Sequence, residues 1–150
     1  MMWASLEGHL EIAQLLVEEG ANVNAASTDD GSTALMYASF EGHLEIAQLL
    51  VEEGANVNAA RTTDGMTVLM WASYKGHQEI AQLLVERGAN VNAAKTTDGS
   101  TALMWAAQEG HLDIVRLLLN SGADKAALNH AGETAHSLCA AHPAITALLA

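Results

Sequence analysis

The stretch EGHLEIAQLLVEEGANVNAA occurs twice in this chain without a change, at residues 7–26 and at 41–60. The two copies lie 34 residues apart, and the pair Gly-His recurs with the same spacing at Gly8-His9, Gly42-His43, Gly76-His77 and Gly110-His111. Self-similarity at a period of 20–50 residues indicates stacked repeats, in which each unit buries its apolar face against its neighbours. A stack has no internal boundary, so residues 1–150 are predicted to form one domain.

Each unit is predicted to contain two helices and a tight turn. Thr33 provides an N-cap, and a first short helix runs from there until Gly42 stops it. A second helix, at about residues 44–53, carries apolar residues at helical spacing and ends before a glycine. Asp64-Gly65 is typical of a tight turn. The unit is therefore hairpin, helix, loop, helix, and the short loops make the paired helices antiparallel neighbours.

These units resemble ankyrin repeats, whose typical segments are Thr-Pro-Leu-His, Gly-His-Leu-Glu-Ile and Gly-Ala-Asp-Val-Asn. The resemblance covers essentially all 150 residues and implies an all-α solenoid of antiparallel helix pairs linked by β-hairpin-like loops. It departs from the family where Ala34 and Met36 replace the proline and histidine, and each internal hairpin is one residue longer than usual. The tetratricopeptide repeat, also 34 residues long, ends its units with proline, and this chain has only Pro143.

The period divides the chain into five units. A truncated N-terminal unit is predicted at 1–22, internal units at 23–56, 57–90 and 91–123, and a C-terminal capping unit at 124–150. The first unit begins inside its first helix and the last helix, at about 143–150, carries no charge. We therefore expect a trimmed chain or a segment of a longer array. The near-identity of the units also favours an engineered, consensus-like scaffold.

Composition and charge indicate which kinds of partner and which cellular location to expect. The net charge is −12 with only six Lys and Arg residues, which argues against binding nucleic acid or anionic membranes, since both need positive charge. No apolar run approaches 18 residues, so no membrane span is predicted. The single cysteine, Cys139, excludes an internal disulfide and is compatible with a reducing compartment. A cytoplasmic location is predicted.

The histidines do not indicate metal or catalysis. Four of the seven are one repeated position, and successive repeats lie about 10 Å apart, whereas two zinc-ligating nitrogens lie within roughly 4 Å. We predict that they hydrogen-bond the loop of the neighbouring unit. His130, His136 and His142 are irregularly spaced, and Cys139 beside them is predicted to be a buried structural thiol. No metal, no cofactor and no enzymatic activity are expected.

The variable positions point to a binding surface. Residues 21–54 and 55–88 are identical at 25 of 34 positions, and seven of the nine changes fall in the hairpin or first helix. All six aromatic residues lie at two repeat positions. We call the first the tryptophan column and the second the phenylalanine column; their members are Trp3, Tyr37, Trp71 and Trp105, and Leu6, Phe40, Tyr74 and Gln108, respectively.

In ankyrin-like proteins the first helices and hairpins line a concave groove where partners dock. The resemblance thus implies a protein partner bound by Tyr37, Phe40, Glu41, Met66, Trp71, Tyr74, Lys75, Trp105, Gln108 and Glu109. The tryptophan column has a second interpretation, that its rings fill the space between stacked helices. Phe40 and Tyr74 are expected to be exposed. The alternative function is an engineered or model repeat scaffold without a natural ligand.

Two further expectations concern assembly and modification. The chain is expected to be a monomer in dilute solution, with end-to-end stacking through its apolar ends at high concentration. Asn24, Asn58 and Asn92 resemble the asparagines that a factor-inhibiting hydroxylase modifies in ankyrin-like hairpins. The other interpretation of these asparagines is that they are kept for turn hydrogen bonds.

Overall fold

In the computed structural model, which describes residues 1–150, the chain forms ten α-helices. They are α1 (Met2–Glu7), α2 (Leu10–Glu18), α3 (Ala34–Glu41), α4 (Leu44–Glu52), α5 (Val68–Lys75), α6 (Gln78–Glu86), α7 (Ala102–Glu109), α8 (Leu112–Asn120), α9 (Ala135–Leu138) and α10 (Pro143–Leu149). We call the odd-numbered helices first helices and the even-numbered ones second helices. The predicted all-α repeat solenoid is confirmed. Isolated antiparallel bridges close three of the hairpins, joining Ala26 with Thr33, Ala60 with Thr67, and Ala94 with Thr101.

A threonine N-cap begins the internal first helices. In α5, Thr67 Oγ1 accepts a hydrogen bond from the backbone N–H of Met70 at 3.3 Å, and the Thr67 N–H donates to the Met70 sulfur at 3.5 Å. The same reciprocal pair joins Thr101 and Met104. The methionine that replaces the usual histidine thus supplies an acceptor for a helix-start donor that would otherwise lack a partner.

Small side chains bring the first helices close together. Ala38, Ala72 and Ala106 are fully buried, and first helices pack more closely on one another than second helices do. The array therefore bends toward the first helices, which together with the hairpins form its concave side. Exposed glutamates cover the convex side, at Glu45, Glu52, Glu79 and Glu86. Buried serine hydroxyls at Ser5, Ser39 and Ser73 have no hydrogen-bond partner.

The Gly-His pairs are contacts between successive units. His77 Nε2 lies 3.0 Å from the Phe40 carbonyl oxygen of the preceding unit, and because a carbonyl only accepts, Nε2 must carry the proton. His43, His111 and His142 make the same bond at 3.1–3.2 Å. The predicted bond between neighbouring units is confirmed, with its acceptor at the end of a first helix. The ring also lies on the preceding glycine: a Cβ at Gly76 would be 2.5 Å from His111 Cε1.

His130 and His142, which are irregularly spaced in the sequence, nevertheless make the contacts of regular repeat positions. His142 follows His111 by 31 residues because the last hairpin is one residue shorter and α9 is shorter than the other first helices, yet it makes the same interface bond to the preceding unit. His130 continues a row of hairpin-tip residues, and its N–H donates to the Asp98 carbonyl at 2.8 Å, as that of Thr96 does to Asp64. Cys139 is fully buried, as predicted.

The hairpin asparagines join successive hairpins. Asn58 Nδ2 donates to the Gly88 carbonyl at 3.2 Å, and its Oδ1 accepts from the Asn90 N–H at 2.7 Å. Asn24 and Asn92 make equivalent pairs of bonds. These amides therefore bridge two hairpins, whereas the acceptor of the turn bond within each hairpin is the side chain of the asparagine two residues earlier.

Two glycines with the same backbone conformation separate the role of the histidine contact from that of the left-handed turn. Gly76 and Gly88 have φ of +81° and +85°, but only Gly76 has a histidine ring over it. We expect Gly88→Ala to cost about 1–2 kcal/mol, the strain of a left-handed L-residue. Gly76→Ala should cost roughly 1–3 kcal/mol more, because the methyl overpacks His111. Urea unfolding measures both, and equal losses would show that the ring contact is unimportant.

Candidate functional site

A ladder of aromatic rings crosses the concave side. Phe40 packs edge-on against Trp71 with ring centroids 5.0 Å apart, Trp71 lies 6.4 Å from Tyr74, and Tyr74 packs edge-on against Trp105 at 5.5 Å. We call these four residues the aromatic ladder. Two of its three steps join rings of different units, so the ladder runs over α3, α5 and α7. Edge-to-face contacts at these distances are the favourable arrangement for aromatic pairs.

Both aromatic columns contribute to one surface. Phe40 and Tyr74 are half-buried rather than exposed as expected, because the tryptophan of the following unit packs against each ring. Trp71 and Trp105 are also half-buried, and they pack against the hydrophobic core. Trp3 is 68% exposed, and its one aromatic neighbour is His9 of its own unit, with ring centroids 5.8 Å apart. The rings are thus held in place while part of each stays accessible.

Cations of the chain cover three of the ladder rings. The Lys75 Nζ lies 4.3 Å from the Phe40 ring centroid, Arg61 Cζ 5.1 Å from that of Trp71, and Lys95 Nζ 5.6 Å from that of Trp105. These are cation–π distances. Half of the six Lys and Arg residues of an otherwise acidic chain therefore lie on this surface.

Hairpin carboxylates neutralise two of these cations. Arg61 donates from Nε to Asp64 Oδ1 at 3.0 Å and from Nη2 to Oδ2, and these hydrogen bonds lower the pKa of Asp64. Burial raises the pKa of Asp98, but hydrogen bonds from Lys95 and Ser100 outweigh it and the pKa is lowered overall. Lys75, in contrast, has no carboxylate partner within ion-pair distance.

The rings enclose two hollows, one in each of two successive repeat interfaces. The first, of about 200 Å³, lies between Tyr37, Phe40 and Trp71. The second, of about 250 Å³, lies between Trp71, Tyr74 and Trp105. Arg61 and Trp71 line both hollows and form the wall between them. The site is therefore a pair of similar apolar hollows placed side by side along the groove.

Three polar atoms of these rings are free to donate. Tyr37 Oη, Tyr74 Oη and Trp71 Nε1 make no hydrogen bond within the chain, and none of the three is buried. Trp105 Nε1 also has no partner, but it is buried. The accessible donors are thus carried by the ring residues that form the hollows.

The structure places the other sequence-predicted site residues on or below this surface. Met66 is only 4% exposed and lines the bottom of the second hollow. The remaining members are exposed around the ladder, at Glu41, Lys75, Gln108 and Glu109. Arg61 and Lys95 also lie on this surface and were not predicted from the sequence. Both lie ten residues before a tryptophan of the tryptophan column, and this recurrence could have identified them.

Comparison with known sequences is consistent with this geometry. The family model described as ankyrin repeats (3 copies) matches residues 1–61, 58–129 and 94–149, which together leave out only the last residue. No curated protein matches the chain. None of its helices combines the length and apolar character needed to cross a membrane.

The ladder contacts should stabilise the fold. Each edge-to-face pair contributes about 0.5–1.5 kcal/mol beyond the area it buries, so Phe40→Ala with Tyr74→Ala should cost on the order of 2–4 kcal/mol. The control is Trp3→Ala, a truncation at an exposed position of the tryptophan column, which should change stability by under ~0.5 kcal/mol. Guanidinium unfolding compares them. A double variant as stable as the parent would mean that the rings do not support one another.

The Arg61 pair should make stability depend on pH. Because the pKa of Asp64 is lowered from 3.8 in the folded chain, its carboxylate stabilises the fold above that pH, and the contribution is lost as pH falls through the folded-state pKa. Asp64→Asn should therefore be less stable than the parent near neutral pH, and the difference should shrink below pH 3.8. Urea melts at both ends of this range test it. An unchanged difference would contradict the assigned cause.

Proposed function

Because this chain belongs to the ankyrin repeat family, whose members are generally protein–protein interaction modules, we propose that it binds a partner protein through its concave groove. The observation that carries the proposal is the aromatic ladder with its two hollows, Tyr37–Phe40–Trp71 and Trp71–Tyr74–Trp105. The chain would act as a monomer and without catalysis, which is typical of the family.

The physical properties of the ladder suit a binding surface. Tryptophan, tyrosine and arginine are the residues enriched at the energetic centres of interfaces. Here the edge-to-face contacts hold Trp71 and Tyr74 in position before any partner arrives, and the Asp64 pair does the same for Arg61. Prior ordering reduces the entropy lost on binding, so more of the contact energy remains as affinity.

Hydroxylation and location stay predictions. Asn24, Asn58 and Asn92 are exposed, but each amide makes two bonds to the next hairpin, which it would have to release before an enzyme could reach it. A cytoplasmic location is supported by the single cysteine alone.

A second candidate is a repeat scaffold without a natural ligand. The observation in its favour is the identity of residues 7–26 and 41–60, since natural repeats that are kept only by packing diverge at exposed positions. Under this candidate the groove residues would contribute no affinity for any partner.

Selection from a random peptide display library tests the proposed function. We expect selected peptides to lose at least tenfold in affinity for Trp71→Ala, about 1.4 kcal/mol or more. The matched control, Trp3→Ala, should bind as the parent does. Circular dichroism establishes that each variant is folded.

Two outcomes of this selection would contradict the proposed function. Peptides that bind Trp71→Ala as tightly as the parent would exclude the groove. If such peptides lost affinity instead for Glu45→Lys with Glu79→Lys, the convex side would be the binding surface.

A further inference from the structure

Resting on the proposed function, we infer that the segment bound in the groove is proline-rich, adopts the polyproline II conformation and carries basic residues beside its apolar ones. Three features of the groove lead to this chemistry: the spacing of its hollows, its free hydrogen-bond donors and its charge. Each restricts the occupant independently.

The spacing of the hollows matches one turn of a polyproline II helix. The two hollows lie in successive repeat interfaces, and packed helices are about 8–10 Å apart. A polyproline II helix advances about 9 Å in its three-residue turn and returns a side chain to the same face. An extended strand returns to the same face about every 7 Å, so its side chains cannot fill both hollows in register.

The free donors favour a backbone with free acceptors. Tyr37 Oη, Trp71 Nε1 and Tyr74 Oη reach solvent and are unpaired within the chain. In polyproline II every carbonyl is free to accept, and proline has no backbone N–H to satisfy. An α-helix also returns a side chain to the same face after about 10 Å, over seven residues. Its carbonyls are bonded within the helix, however, and cannot accept hydrogen bonds from these donors.

The charge of the groove determines what flanks the prolines. Asp64 and Asp98 already neutralise Arg61 and Lys95. Exposed carboxylates remain beside the ladder at Glu41 and Glu109, on a chain whose net charge is −12. Because Lys75, Arg61 and Lys95 occupy faces of the rings, a basic residue of the partner pairs with these carboxylates rather than with the rings. Opposite charge also speeds association.

Fluorescence anisotropy with four labelled peptides tests this inference. The first carries proline or leucine at every third position and two arginines; the second is a scrambled version of it. The third replaces the arginines by glutamates, and the fourth is a helix-forming peptide with apolar residues seven apart. We expect the first to bind the chain about tenfold or more tightly than each of the others.

Two variants link the result to the donors. Tyr37→Phe with Tyr74→Phe keeps the rings and removes only the hydroxyls, and it should weaken the first peptide about fivefold or more. Trp3→Ala should not change its affinity. Equal binding of the scrambled peptide, tighter binding of the helical one, or no effect of the hydroxyl variant would overturn the inference.

Failure of this inference differs from failure of the proposed function. Library-selected peptides that need Trp71 but lack proline at every third position would leave the groove as the binding surface and overturn only the ligand class. If selected peptides do not need Trp71, the proposed function itself fails.

Discussion

The stacking of this molecule depends on a histidine that lies on a glycine of the preceding unit and donates to a carbonyl at the end of its first helix. The left-handed glycine, represented by Gly76 under His111, leaves space for the ring. The bond from His111 Nε2 to the Tyr74 carbonyl satisfies one of the acceptors that a helix end leaves without a partner. Because the histidine ring must fit over the glycine and also reach the carbonyl, each unit can pack on the preceding one in only one orientation.

The shape of the proposed binding surface is a consequence of that orientation. Ala38 and its equivalents let first helices approach closely, so the Trp71 ring of one unit reaches Phe40 of the unit before it. The hairpin of the later unit brings Arg61 over the same ring. No single unit could form either hollow, since the walls come from neighbouring units. The groove is therefore a property of the interface between units.

The repeat period predicted most of the fold and only part of the site. The repeat period shows the position of each residue within its unit. That position is enough to predict the helix ends, the hairpins and the hydrogen bond of His77. The burial of Phe40 depends instead on the distance between its ring and the Trp71 ring of the next unit. That distance cannot be read from the sequence. His142 was missed because the shorter last hairpin and the short α9 change the spacing, although the contact itself is preserved.

The charged residues of the groove affect both its stability and the partner that it would bind. The chain carries a surplus of carboxylates, yet its groove cations are held by Asp64 and Asp98 and by the rings beneath them. These cations are therefore largely committed to positioning the groove, and they offer a partner little unpaired positive charge apart from Lys75. The free carboxylates around the groove and on the convex side then dominate the field that an approaching protein meets. The ion pairs within the chain hold the shape of the groove. The carboxylates without ion pairs would then favour a partner of positive charge.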